Sequence, residues 1–216
     1  MDIAGREPRL GQQLGLRAAG AGLLAAAVLG LSFTASAQTT PVRLRGAITA
    51  IDGKTVTIAV RDGTTAKVKL ADNWNASLVT PLTLADIKQG SFVGIASTGT
   101  DADRTALEVL VFPEAMRGAG EGHYAWDLQP NSMMTNANVA TVASASDGQT
   151  LKLEYKGGGT QTIKVKPGTP IVTFSAGQRS DAKPGAKVFI GAQKAADGTL
   201  TATRLNVGKD GMMPPM

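Results

Sequence analysis

Two small β-barrels in one chain are the fold that this sequence predicts, and three observations carry the prediction. Aromatic residues make up 4% and charged residues 18% of the 216 positions, while small residues, Val, Ile, Leu and Thr abound, a mix suited to short strands and tight turns. Apolar and polar side chains alternate on both sides of Asp-Gly and Gly-Gly pairs, which is the pattern of hairpins. The chain also aligns with itself at an offset of 95 residues, held over several strands. Together these predict an all-β protein, with two tandem five-stranded OB-like barrels joined by a structured connecting segment after an N-terminal signal peptide. The expected divisions are a signal peptide at 1–37, a first barrel at 38–112, a connecting belt at 113–137, a second barrel at 138–207 and a Met/Pro-rich tail at 208–216.

The leader comes first. Arg6, Arg9 and Arg17 precede an apolar run from Ala18 to Phe33, which ends in Thr34-Ala35-Ser36-Ala37-Gln38 with Ala at both small-residue positions of a cleavage site. This predicts export and cleavage after Ala37, to a periplasmic or secreted protein that does not span the membrane after cleavage. Because the chain has no Cys, such an exported fold must rest on its cores and not on disulfides.

In the first copy, Val56, Ile58 and Val60 alternate before Arg61-Asp62-Gly63-Thr64, and Ala66, Val68 and Leu70 alternate after it. Gly and Asp tolerate the backbone angles that a tight hairpin turn demands. Asp52-Gly53 marks an earlier turn, so another strand precedes this hairpin, and Ser91–Ser97 and Thr105–Phe112 supply two more. The second copy repeats the order with Asp147-Gly148, then Leu151 to Tyr155, Gly157-Gly158-Gly159, Ile163 to Val165, and finally Lys187–Gln193 and Leu200–Val207. Five strands with a longer connection between the third and fourth point to the OB type of barrel, ahead of a small sandwich or an SH3-like barrel. The aspartates at these turns read as turn residues, and Asp101-Ala102-Asp103 lacks the later ligands of a calcium loop.

The stretches outside the alignment differ in chemistry. Apart from Met1, every Met (116, 133, 134, 212, 213 and 216) falls in the segment 113–137 or in the tail, as do His123 and Trp126. A polar linker has no need of such residues. One reading is a belt that folds back and fills the groove between the barrels with its aromatic and Met side chains. A second is a soft-metal site, since thioether and imidazole ligands suit Cu(I), with Met116, His123, Met133 and Met134 as the candidate ligands and the tail as a second arm. A third is a recognition surface for a protein, glycan or small ligand, built on Tyr124, Trp126 and Arg117.

Several function classes are excluded or unsupported. Zero Cys removes a thiol nucleophile, a structural zinc knuckle and an iron–sulfur cluster, and one His rules out a His-rich metal cage. No nucleophile elbow, H-E-x-x-H or phosphate loop occurs. Gly118-Ala119-Gly120-Glu121-Gly122 stands where no strand-to-helix turn is expected, so it does not read as a dinucleotide loop. The net charge of +5 is scattered, unlike a nucleic-acid face.

The phrase Phe112-Pro113-Glu114-Ala115-Met116-Arg117-Gly118, followed by Gly122-His123, Trp126-Asp127-Leu128 and Ser132-Met133-Met134-Thr135-Asn136-Ala137, resembles an uncharacterised family of exported bacterial proteins with a small β-barrel domain of unknown function. Some of its members carry an automatic label as a metal ABC transporter permease, which this sequence contradicts because it has no set of membrane-spanning segments. The expectation is a non-catalytic periplasmic binding or accessory protein, acting on a protein, glycan or small ligand. The alternative is a Cu(I)-type metal-binding protein.

Overall fold

The structure, a computed structural model, describes residues 39–216; the predicted leader at 1–37 lies outside them. The described chain is all-β, with short 3-10 turns and no α-helix. Its strands are β1 (Thr40–Asp52), β2 (Thr55–Val60), β3 (Thr65–Pro81), β4 (Phe92–Thr100), β5 (Asp103–Val111), β6 (Gly122–Ala125), β7 (Met133–Ala145), β8 (Gly148–Tyr155), β9 (Gly159–Val165), β10 (Ile171–Ala176), β11 (Lys187–Lys194) and β12 (Leu200–Gly208). The hairpins form where the turn residues stand: Gly63 has a φ of 87°, and Asp62 Oδ1 accepts from the Thr64 N–H at 2.9 Å.

The pairing then departs from the sequence expectation. A closed five-stranded barrel forms from β1, β2, β3, β12 and β11, so its first three strands come from the stretch expected to form the first barrel and its last two from the stretch expected to form the second. Its interior confirms the mixing, because Leu44, Ile48, Val56, Ile58, Val68 and Leu70 pack with Val188, Ile190, Leu205 and Val207. A second ring of pairings links β4, β7, β8, β9 and β5, and closes through Arg104↔Ile163 and Thr105↔Lys164. Ile95, Val109, Leu151, Leu153 and Ile163 belong to its core. The divisions 38–112 and 138–207 therefore do not each enclose one ring. Both arrangements bury the same apolar alternation. β3 continues past Leu70 to Pro81: after an irregularity its pairing with β12 resumes at Asn75 and runs on to Val79, while β10 pairs with it from Ser77 to Pro81.

The second copy breaks this strand in two. Pro167 and Pro170 lack donors and Gly168 has a φ of 83°, so β9 stops at Val165 and β10 starts afresh at Ile171. β10 then bridges the rings, antiparallel to β3 and parallel to β5. The Phe174↔Val79 pair lies at the centre of that junction, where Val79, Leu110, Val172 and Met216 form a third buried cluster.

Two further differences concern boundaries. Met133 and Met134 lie inside β7, the first strand of the second copy, and not in a belt reaching to residue 137. Leu44 pairs with Ile190 while Thr135 pairs with Ile95, so the equivalent first-strand positions are 91 apart and not 95. A longer β7–β8 hairpin, with its tip at Ser146-Asp147, takes up the difference.

Candidate functional site

The outward faces of the two rings meet around a half-open pocket of about 170 Å³. On β4, β5 and β7, the residues that alternate with the core positions Ile95, Val109 and Ala137 are Gly94, Glu108, Leu110, Met134 and Asn136, and these form its floor. Phe112, Phe174 and Phe189 supply aromatic walls, with Phe112 and Phe174 edge to face at 6.4 Å between centroids. Tyr124 and Trp126 cover one side as a T-shaped pair 6.2 Å apart, and Met216 approaches from the tail.

This arrangement follows from how β6 is held. The strand pairs with β7, setting Tyr124 beside Met134 on the pocket face and His123 beside Thr135 on the opposite face. Beyond β6, the Trp126 N–H donates to the Ser132 carbonyl at 2.8 Å, and the Ser132 hydroxyl donates to the Trp126 and Gln129 carbonyls. Asp127 then fastens the loop to the first barrel, accepting from Arg45 Nη2 at 2.7 Å with Arg43 at 3.6 Å. Burial opposes ionisation of Asp127, but the hydrogen bond and charge of Arg45 and the charge of Arg43 outweigh it and hold its carboxyl below the ordinary value. The Arg43 guanidinium also lies 3.9 Å over the Trp126 ring, and Arg45 Nε donates to the main-chain oxygen of Met216. Arg45 thus ties the connecting segment and the tail to β1.

Glu108 is the chemical anomaly. Its side chain is 0% exposed, and neither carboxylate oxygen has a well-formed hydrogen-bond partner, the Ala96 backbone N–H lying near enough to favour its charge without meeting hydrogen-bond geometry. Burial is the main cause of a pKa pushed up to about 8; the nearby Arg45 charge and the Ala96 backbone N–H pull the other way without overcoming it. Asn136 adds a third unpartnered acceptor. Its Nδ2 donates to the Ala119 carbonyl at 3.0 Å and to the Tyr124 hydroxyl at 3.3 Å, which leaves Oδ1 buried and free. Gly94 keeps the floor open, because a Cβ there would stand 2.7 Å from Asn136 Oδ1 and 3.0 Å from the Phe112 ring.

The residues singled out in the sequence are distributed as follows. Tyr124 and Trp126 line the pocket, and Met134, 5% exposed, lies on its floor. Arg117 does not reach it: its guanidinium pairs with Glu114 at 2.6 Å and donates to Asn138 Oδ1 at 2.5 Å and the Gly90 carbonyl at 3.0 Å, clamping the start of the connecting segment. Met116 lies elsewhere, its Sδ 3.9 Å from Arg204 Nη1. His123 Nδ1 shares a 2.8 Å hydrogen bond with Thr135 Oγ1, and its ring stacks on Tyr155 at 6.3 Å. Burial, with the Arg104 charge, lowers its pKa against the pull of Asp101. Met133 pairs with Ser97 and Ala125 and alternates away from Met134. The four proposed metal ligands therefore do not share one face, and Met134 is joined in the pocket by Met216 instead.

Glu108, Asn136 and Gly94 were not singled out from the sequence. A usable signal existed for Glu108, a lone charge inside the apolar run Ala106 to Phe112. Larger surface recesses exist, such as one of about 390 Å³ bordered by Lys183, Gly185 and Asp210, but none of the residues bordering it carries a buried, unpartnered polar atom. Comparison with family models, curated proteins and solved structures returns no match.

Proposed function

We propose that this protein is a non-catalytic binding protein of the bacterial periplasm, exported with cleavage after Ala37, and that its ligand is a small molecule seated in the pocket between the rings. In this reading the chain is a duplicated pair of OB-type barrels that have exchanged their last two strands. The observation that carries the binding reading is Glu108, a fully buried carboxyl with no hydrogen-bond partner on the floor of an aromatic pocket. Uncompensated burial of such a group costs several kcal/mol. A ligand that satisfies it recovers part of that cost on binding, and the aromatic walls supply apolar contact.

The test is native mass spectrometry of protein purified from its own periplasm, together with Trp126 fluorescence against a panel of small amines, alcohols and sugars. A retained small ligand, or a saturable fluorescence change in the native protein that is weakened in Gly94→Ala, is the expected result. Bare protein with no response to any compound would overturn the reading.

A soft-metal site is the second reading, because Met134 and Met216 border the same pocket. It predicts that Cu(I) competes from a chelator and that binding falls at least tenfold when both Met are replaced by Leu. Equal weak binding in the two proteins would remove it.

A further inference from the structure

We infer that the pocket between the rings selects a small organic cation bearing N–H donors, such as a primary ammonium or a guanidinium, held by Glu108 and Asn136 with its apolar part against Phe112, Phe174 and Trp126. The inference rests on the small-ligand reading above and adds the chemical class.

Two residues bordering the pocket carry three buried acceptors without donors: Glu108 Oε1, Glu108 Oε2 and Asn136 Oδ1. With Glu108 ionised, as it is when a cation is bound, the only buried donor without a partner among the residues bordering the pocket is Trp126 Nε1; at pH 7 the carboxyl itself carries an O–H donor until that proton is displaced. A complementary ligand must therefore bring more donors than acceptors, which an ammonium with three N–H groups or a guanidinium with five does. Aromatic faces on several sides suit a positive charge as well as an apolar body. The other ligand classes fit less well. Calcium takes six to eight oxygen ligands, and the pocket offers two carboxylate oxygens, one amide oxygen and the Tyr124 hydroxyl. Cu(I) would leave the three oxygens unused. Pocket size limits the buried part of the ligand to a chain of about four carbons or one small ring, by comparison with the cavities of about 150 Å³ that take up benzene.

The charges around Glu108 are compatible with a cation. Among the described residues, the charge that acts on it is that of Arg45, on β1, and Arg45 is itself paired with Asp127, with Arg43 behind. Tyr124 lines the site and is held neutral by burial. Because the Glu108 carboxyl has a pKa of about 8 in the empty pocket, a cation binding at pH 7 must displace its proton to solvent.

Isothermal titration of the full chain in two buffers of different ionisation enthalpy tests this, with n-butylammonium, guanidinium, tetramethylammonium and n-butanol as probes. The expected result is that butylammonium binds at least tenfold more tightly than butanol or tetramethylammonium, releases roughly one proton at pH 7, and tightens by up to tenfold per pH unit as pH rises towards 8. Glu108→Gln should weaken it at least tenfold and abolish proton release. Gly94→Ala, which fills the floor without changing its charge, should weaken all probes. Butanol binding as well as butylammonium would overturn the cation while leaving a ligand pocket. Tetramethylammonium matching butylammonium would overturn the N–H donor requirement. No probe binding, with Trp126 fluorescence unchanged throughout, would overturn both readings.

Discussion

Glu108 makes the stability of the protein depend on pH in an unusual direction. Its pKa is raised from the carboxylate range to about 8 in the folded protein, so the native state holds a proton that the unfolded chain has released over that interval. Its contribution is fully present below the unfolded value near 4.5 and is lost as pH rises towards 8, at up to about 1.4 kcal/mol per pH unit. Urea unfolding of ligand-free protein between pH 5 and 8 should show this decline, and Glu108→Gln should flatten it. An equal slope in both proteins would mean that another group is responsible. Gly94 permits a second test. Its φ is not positive, so what it contributes is space: Gly94→Ala places a methyl against Asn136 and Phe112 and should cost about 1–3 kcal/mol by overpacking, read from the same urea curves.

At the scale of elements, one ion-paired cluster fastens the end of the connecting segment to the first barrel. Asp127→Ala strands Arg45, a side chain only 9% exposed, and should cost about 1–3 kcal/mol, less than a fully buried pair because Asp127 itself is 46% exposed. Amide exchange in β6 and residues 126–132 should quicken while the barrel cores stay protected. Acid acts on the same contact: the lowered Asp127 pKa means that its contribution, present above the ordinary value near 3.8, disappears as pH falls through the folded value. The strands themselves were largely legible in the sequence, because alternation of apolar residues around Asp62-Gly63 and Gly157-Gly158 leaves little freedom of register. β10 was not, since Ile171 to Ala176 follows two prolines and reads as loop. Tyr124 and Trp126 were legible as unusual for a linker, whereas Asn136 and Gly94 owe their place in the pocket to neighbours more than ten residues away in the chain.

For the whole molecule, the local pattern could not reveal which copy each strand joins. Val188 and Ile190 are close substitutes for Val93 and Ile95, so the closed barrel has an equally apolar interior with strands from either copy. Pairing of β1 and β3 with β11 and β12 makes a firm prediction for a protein nicked between Arg117 and Gly120. The two fragments should co-elute in gel filtration and separate only in denaturant, whereas barrels built from one copy each would come apart on nicking or behave as two independent bodies. The pairing also gives Gly94 and Phe189 the same place, Gly94 opposite Asn136 and Leu110, and Phe189 opposite Arg45 and Asn206. Both residues border the pocket. Had two identical chains associated in this way, symmetry would have forced two phenylalanines that fill the space or two glycines that leave it unwalled. Because both positions belong to one polypeptide, that constraint is absent, and one position is a wall while its counterpart is an opening.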